Sequence, residues 1–163
     1  MGFIRFPAAR FAVVGGATIL VAAGIIACGG GSPSSDPPAS PSATPANVAG
    51  TWSGSASDSS GSGTMTWQLT QNGSSFSGTL TMIDPTQNVT GRGSVSGSVS
   101  GSSLQFTVLV PVGGFDGAYA GCSTSVTGSG SASTSSIAGT YSGTSSCPNN
   151  STIASGNLTL AKQ

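Results

Sequence analysis

Few side chains in this sequence could do chemistry. Of 163 residues only eight are charged, Arg5, Arg10, Arg92 and Lys162 against Asp36, Asp58, Asp84 and Asp116, and the net charge is +0. His and Glu are absent. The reactive groups that remain are three cysteines, Cys28, Cys122 and Cys147, and many hydroxyls, with 32 Ser and 18 Thr. A nucleophilic serine needs a neighbouring His or Lys, and the single lysine is the penultimate residue. A catalytic thiolate needs a cation or imidazole to lower its pKa. The chain carries no G-x-S-x-G, G-x-x-x-x-G-K-[ST], H-E-x-x-H or C-x-x-C pattern. Gly91-Arg92-Gly93 lacks the third glycine and the following helix of a dinucleotide loop. Asp58, Asp84 and Asp116 fall beside Ser, Gly and Pro, where Asp serves turns by bonding its own backbone. A carboxylate pair or weak calcium site would have to be built from these three, and calcium wants six or more oxygens. The reading is of a non-catalytic protein with no metal and no cofactor. Without clustered Lys and Arg it has no grip on nucleic acid.

The position of Cys28 gives it a different chemistry. Residues 1–10 hold two positive charges and no negative one, and residues 11–27 are an apolar run interrupted only by Gly15, Gly16, Thr18 and Gly24. A basic start, an apolar stretch and small residues at its end make a secretory signal. An uncleaved membrane-spanning helix is the alternative, but 17 residues is the short limit for about 30 Å of hydrocarbon. Ile25-Ile26-Ala27-Cys28 resembles the lipobox of bacterial lipoproteins: an aliphatic residue three before Cys, a small residue before it, then the first mature residue. That resemblance implies a signal peptide over 1–27, a diacylglyceryl thioether and an acylated amino terminus on Cys28, and a membrane partner reached through those chains. Two or more acyl chains anchor stably where one does not. Gly29 rather than Asp after the cysteine implies the outer membrane if the envelope is Gram-negative.

Residues 29–46, GGGSPSSDPPASPSATPA, hold five prolines and no large apolar side chain. With Cys28 they form a tether, disordered or polyproline-like.

Residues 47–163 are long enough for one small domain, and their period is two. Val48, Gly50, Trp52 and Gly54 share a face, as do Met65, Trp67 and Leu69, then Phe76, Gly78, Leu80 and Met82. Val89 to Val99 alternates Val and Gly with Thr, Arg and Ser, and Leu104, Phe106, Val108, Val110 and Val112 form the strongest apolar stripe. Asn72-Gly73, Asp84-Pro85, Gly101-Ser102, Gly113-Gly114 and Asp116-Gly117 mark turns. Weaker strands are expected near 118–127, 137–144 and 156–161. No stretch has helical periodicity. The expectation is an all-β domain, a small antiparallel up-and-down barrel of about eight strands.

Two details sharpen it. Val48-Ala49-Gly50-Thr51-Trp52-Ser53-Gly54 is echoed by Ile137-Ala138-Gly139-Thr140-Tyr141-Ser142-Gly143, as if both ends of the chain served one closing sheet. Closure would remove edges that a sheet with so few charges cannot protect. Inward glycines facing large residues let a small barrel bend. The segment 48–82 resembles the opening of lipocalin- and avidin-like barrels, which begin on a Gly-x-Trp strand. The later tryptophans of an avidin-type biotin site have no counterpart here, so that ligand is not implied. In an exported domain Cys122 and Cys147 read as one disulfide. Trp52, Trp67, Phe106, Tyr119 and Tyr141 are the candidates to line a pocket for a small apolar or amphipathic ligand; filling the core is their alternative use. Function then divides between a lipid-anchored envelope protein that binds or carries such a ligand and a structural or surface-interaction lipoprotein without one.

Overall fold

The computed structural model describes residues 43–148 and 152–163. The expected signal segment 1–27, Cys28 and the expected tether up to residue 42 lie outside the described residues.

Eight strands form one closed antiparallel barrel in chain order: β1 (Gly50–Asp58), β2 (Gly61–Asn72), β3 (Ser75–Asp84), β4 (Val89–Ser100), β5 (Ser103–Val110), β6 (Thr124–Ala132), β7 (Ser136–Ser145) and β8 (Thr152–Lys162). Each pairs with the next, and β1 pairs with β8 to close the wall, Gly54 opposite Leu160. The echoed segments are β1 and β7, and β8 stands between them.

Turn chemistry sets the register. The β2–β3 and β4–β5 hairpins each have two-residue loops led by a glycine with positive φ, Gly73 (φ 60°) and Gly101 (φ 56°). A glycine at the first position of a two-residue loop suits the twist of the flanking strands. In the β1–β2 turn the Asp58 carboxylate accepts the Ser60 N–H at 2.7 Å and the Ser60 hydroxyl. Asn88, φ 52°, bends the chain into β4; Asn tolerates that region better than most residues.

Alternation then puts one side of every strand inside. Val48, Trp52, Trp67, Leu104, Val110 and Ile137 are fully buried, and Ser, Thr and Gln cover the outside. Inward glycines receive the aromatic rings. Gly97 on β4 sits against Phe76, Gly128 on β6 against Phe106, and Gly156 on β8 against Tyr141. A side chain at any of these glycines would overlap the ring.

Three expectations need correction. The stripe on β5 ends at Val110, because Pro111 lacks the N–H to continue the ladder; Val112 lies beyond it, 67 % exposed. β6 begins at Thr124, not near 118, because residues 117–119 form a 3-10 turn and Cys122 is tied down. β8 begins at Thr152 rather than 156. Between Tyr141 and Gly143 its register shifts, and Ala154 and Ser155 both face outward, so a bulge breaks the alternation while keeping Ile153 inside.

Candidate functional site

The two ends of the barrel differ. One end carries the tight β2–β3 and β4–β5 turns and receives the incoming chain. There the Ala46 N–H donates to Gly101 O at 2.7 Å and the Gln71 amide donates to Ala46 O at 3.1 Å. Lys162 lies at this end too, 5.2 Å from the Trp52 ring centroid, a favourable cation–π distance.

At the opposite end the β1–β2 turn, the β3–β4 loop and the long 111–123 loop form a mouth, with Ser145, Cys147 and Ile153 beside them. A cavity of about 120 Å³ opens there. Its apolar side includes Met65, Met82, Phe115 and Ile153, and its polar side includes Asp58, Asp84, Gln87, Tyr119 and Tyr141. The turns bring these together. Pairing Asn72 with Ser75 places Met65 directly opposite Met82, and Phe115 reaches in through the bridge of its backbone to Gly91. A side chain at Gly91 would meet both Met82 and Phe115.

The polar groups are already joined to one another. The Tyr141 hydroxyl on β7 donates to Asp58 Oδ2 on β1 at 2.8 Å, reaching past β8. Burial, and then the Asp58 carboxylate that accepts its proton, hold this phenol well above the ordinary tyrosine pKa. Asp84 Oδ1 accepts the N–H groups of Thr86 and Gln87 at 2.8 and 3.1 Å, and its Oδ2 accepts the Gln87 amide at 3.0 Å. The Tyr119 hydroxyl donates to Gln87 Oε1 at 2.6 Å. A disulfide joins Cys122 in the 111–123 loop to Cys147 beyond β7, with Cα atoms 4.9 Å apart, and Cys147 also lines the cavity. Among the described residues no three Asp and Cys side chains come together as metal ligands.

The five aromatic residues expected at a pocket therefore separate. Trp52, Trp67 and Phe106 pack the barrel interior. The Trp52 indole donates to Val48 O at 2.8 Å, and Trp67 meets Phe106 edge to face at 5.3 Å between centroids. Tyr119 and Tyr141 stand at the mouth. Cys28 lies outside the described residues. Sequence reasoning missed Met65, Met82, Phe115 and Ile153 as cavity residues and favoured turn duties for Asp58 and Asp84 over a carboxylate pair or calcium site. A signal was present for the methionines, since the two-residue turn after Asn72 fixes them as partners. Phe115 and Ile153 depend on a long loop and a bulge, which alternation does not register.

No protein family, curated protein or solved structure matches this chain.

Proposed function

We propose that this chain is a lipid-anchored envelope protein, exported by residues 1–27 and held through Cys28, whose barrel takes a small apolar or amphipathic group in its mouth. The cavity is the observation that carries the binding part of this reading. It is apolar at its base and polar at its rim, and the tether joins the barrel at the other end, so the attachment point does not obstruct it. Its volume of about 120 Å³ is near the ~150 Å³ at which an apolar cavity admits benzene. It suits one group of a larger molecule rather than the whole. Trp67 and Phe106 are packed against each other, so the ligand is placed at the mouth and not beside them. The disulfide supports export, because such bonds persist in oxidising compartments. The reading is non-catalytic: the mouth has carboxylates and phenols, but neither His nor Lys to activate a nucleophile.

A second reading is a structural or surface-interaction lipoprotein. A broad open groove on the outer wall, lined by Gln105, Thr107, Thr127, Ser129 and Thr140 among others, favours it. These uncharged hydroxyl and amide groups suit a polar envelope polymer. Fractionation tests the anchor that both readings share. Cys28→Ala is expected to leave the membrane fraction or to accumulate with its signal uncleaved, whereas unchanged fractionation and processing would remove the anchor from the account.

A further inference from the structure

We infer that the group taken by the mouth is positively charged, an ammonium on a small apolar body; this rests on the cavity reading above. The cavity carries the inference, and three features of its wall give the sign. First, among the described residues every donor that reaches Asp58 and Asp84 is neutral: backbone N–H groups, the Ser60 hydroxyl, the Gln87 amide and the Tyr141 phenol. Among the described residues no cation is paired with either carboxylate, and the wall beside them is largely apolar. Asp116, which accepts the Thr90 N–H at 2.8 Å, adds a third at the same end. Second, the two cations of the described residues stand elsewhere. Lys162 lies over Trp52 at the far end, and Arg92 is exposed on the outer wall. Third, both phenol protons are committed, Tyr141 to Asp58 and Tyr119 to Gln87. The phenols thus have no proton left to offer an anion. They present aromatic surface, with Phe115 and two thioethers beside them.

A neutral apolar guest would fill the space and strip water from two charged carboxylates without compensation. An anion would add repulsion. An ammonium satisfies the charge, and rings near it contribute cation–π attraction, which is strongest when the cation is desolvated. Its alkyl groups match the methionines.

The probe set is choline, its uncharged carbon isostere 3,3-dimethylbutan-1-ol, and 3,3-dimethylbutanoate. Each is titrated into the full lipidated chain in a non-ionic detergent. The reporters are the ¹³C-labelled methyl groups of Met65 and Met82, the only methionines after residue 1. Choline is expected to shift both signals saturably, with an affinity at least about tenfold above that of the alcohol and with no binding of the carboxylate. In Asp58→Asn, and separately in Asp84→Asn, that preference is expected to shrink toward parity, choline binding more weakly and the alcohol no more weakly than before. If the alcohol or the carboxylate binds as well as choline, the cationic class is wrong and the cavity reading stands. If none of the three moves Met65 or Met82, both fall. The comparison in the unaltered chain decides the matter even where an Asp variant does not fold.

Discussion

Gly156→Ala offers a sharp test of how this barrel is packed. A Cβ at position 156 would have its three nearest heavy atoms in the Tyr141 ring, the farthest of them at 2.8 Å. Comfortable carbon–carbon contact begins near 3.5 Å, and the other two ring atoms are nearer still, so the ring must retreat by more than ~1 Å. It is poorly free to do so, because it is buried and its hydroxyl is held by Asp58 at 2.8 Å. Overpacking costs about 1–3 kcal/mol, and a hydrogen bond to a charged group contributes about 1.5–3 kcal/mol if it is lost. Against this, replacing Gly by Ala restricts the unfolded chain and returns about 0.4–1 kcal/mol. If that hydrogen bond is lost, the net expectation is a destabilisation of about 1.5–5 kcal/mol, read as a lower urea midpoint at unchanged slope. Gly121→Ala is the control, since nothing lies within 4 Å of a Cβ there; it should change stability by less than about 0.5 kcal/mol. Adding Tyr141→Leu removes the obstructing ring, so the double variant should be less destabilised than the sum of the singles by about 1 kcal/mol or more. Independent sites add within about 0.3–0.5 kcal/mol. Strict additivity, or a Gly156→Ala cost no larger than that of Gly121→Ala, would refute the glycine-for-ring packing.

Two further outcomes follow from the mouth. Replacing both Cys122 and Cys147 by Ser opens a loop of 25 residues and should lower unfolding stability by about 3.5 kcal/mol in the chain-entropy description, measured by equilibrium denaturation. An undiminished midpoint would mean that the disulfide constrains nothing. Tyr141 binds its proton more tightly folded than unfolded, so above the ordinary tyrosine value of 10.0 the unfolded chain ionises first and stability falls as pH rises. Ultraviolet titration should show one tyrosine ionising late, and Tyr141→Phe should abolish that late step.

The barrel was legible because its determinants are local. Gly73 and Gly101 announce hairpins, and Trp67, Leu69, Leu80 and Phe106 fall on period two with few interruptions. Even the pairing of Cys122 with Cys147 followed from their number and the expectation of export. Where the signal failed, the cause lay in backbone irregularity or weak side chains. Pro111 stops β5 although Val112 continues its pattern. The inner face of β6 is Val126, Gly128, Gly130 and Ala132, too small to stand out from the loop before it. The bulge at Ala154 and Ser155 reverses the phase of β8. The site was less legible than the fold because it is assembled across the barrel. Asp58 and Tyr141 are 83 positions apart and meet only through closure. Whether an aromatic residue packs the middle, as Trp67 does, or stands at the rim, as Tyr119 does, depends on its height in the barrel and not on its type.

The central claim is an anchored barrel that holds a small group in its mouth, and native mass spectrometry of the protein released from membranes tests it most directly. The account predicts a chain beginning at an acylated Cys28, lighter by two hydrogens for the disulfide, with a small non-covalent adduct that is lost when Gly91→Phe fills the cavity. A chain with an unmodified Cys28, or one without an adduct in either form, would contradict it.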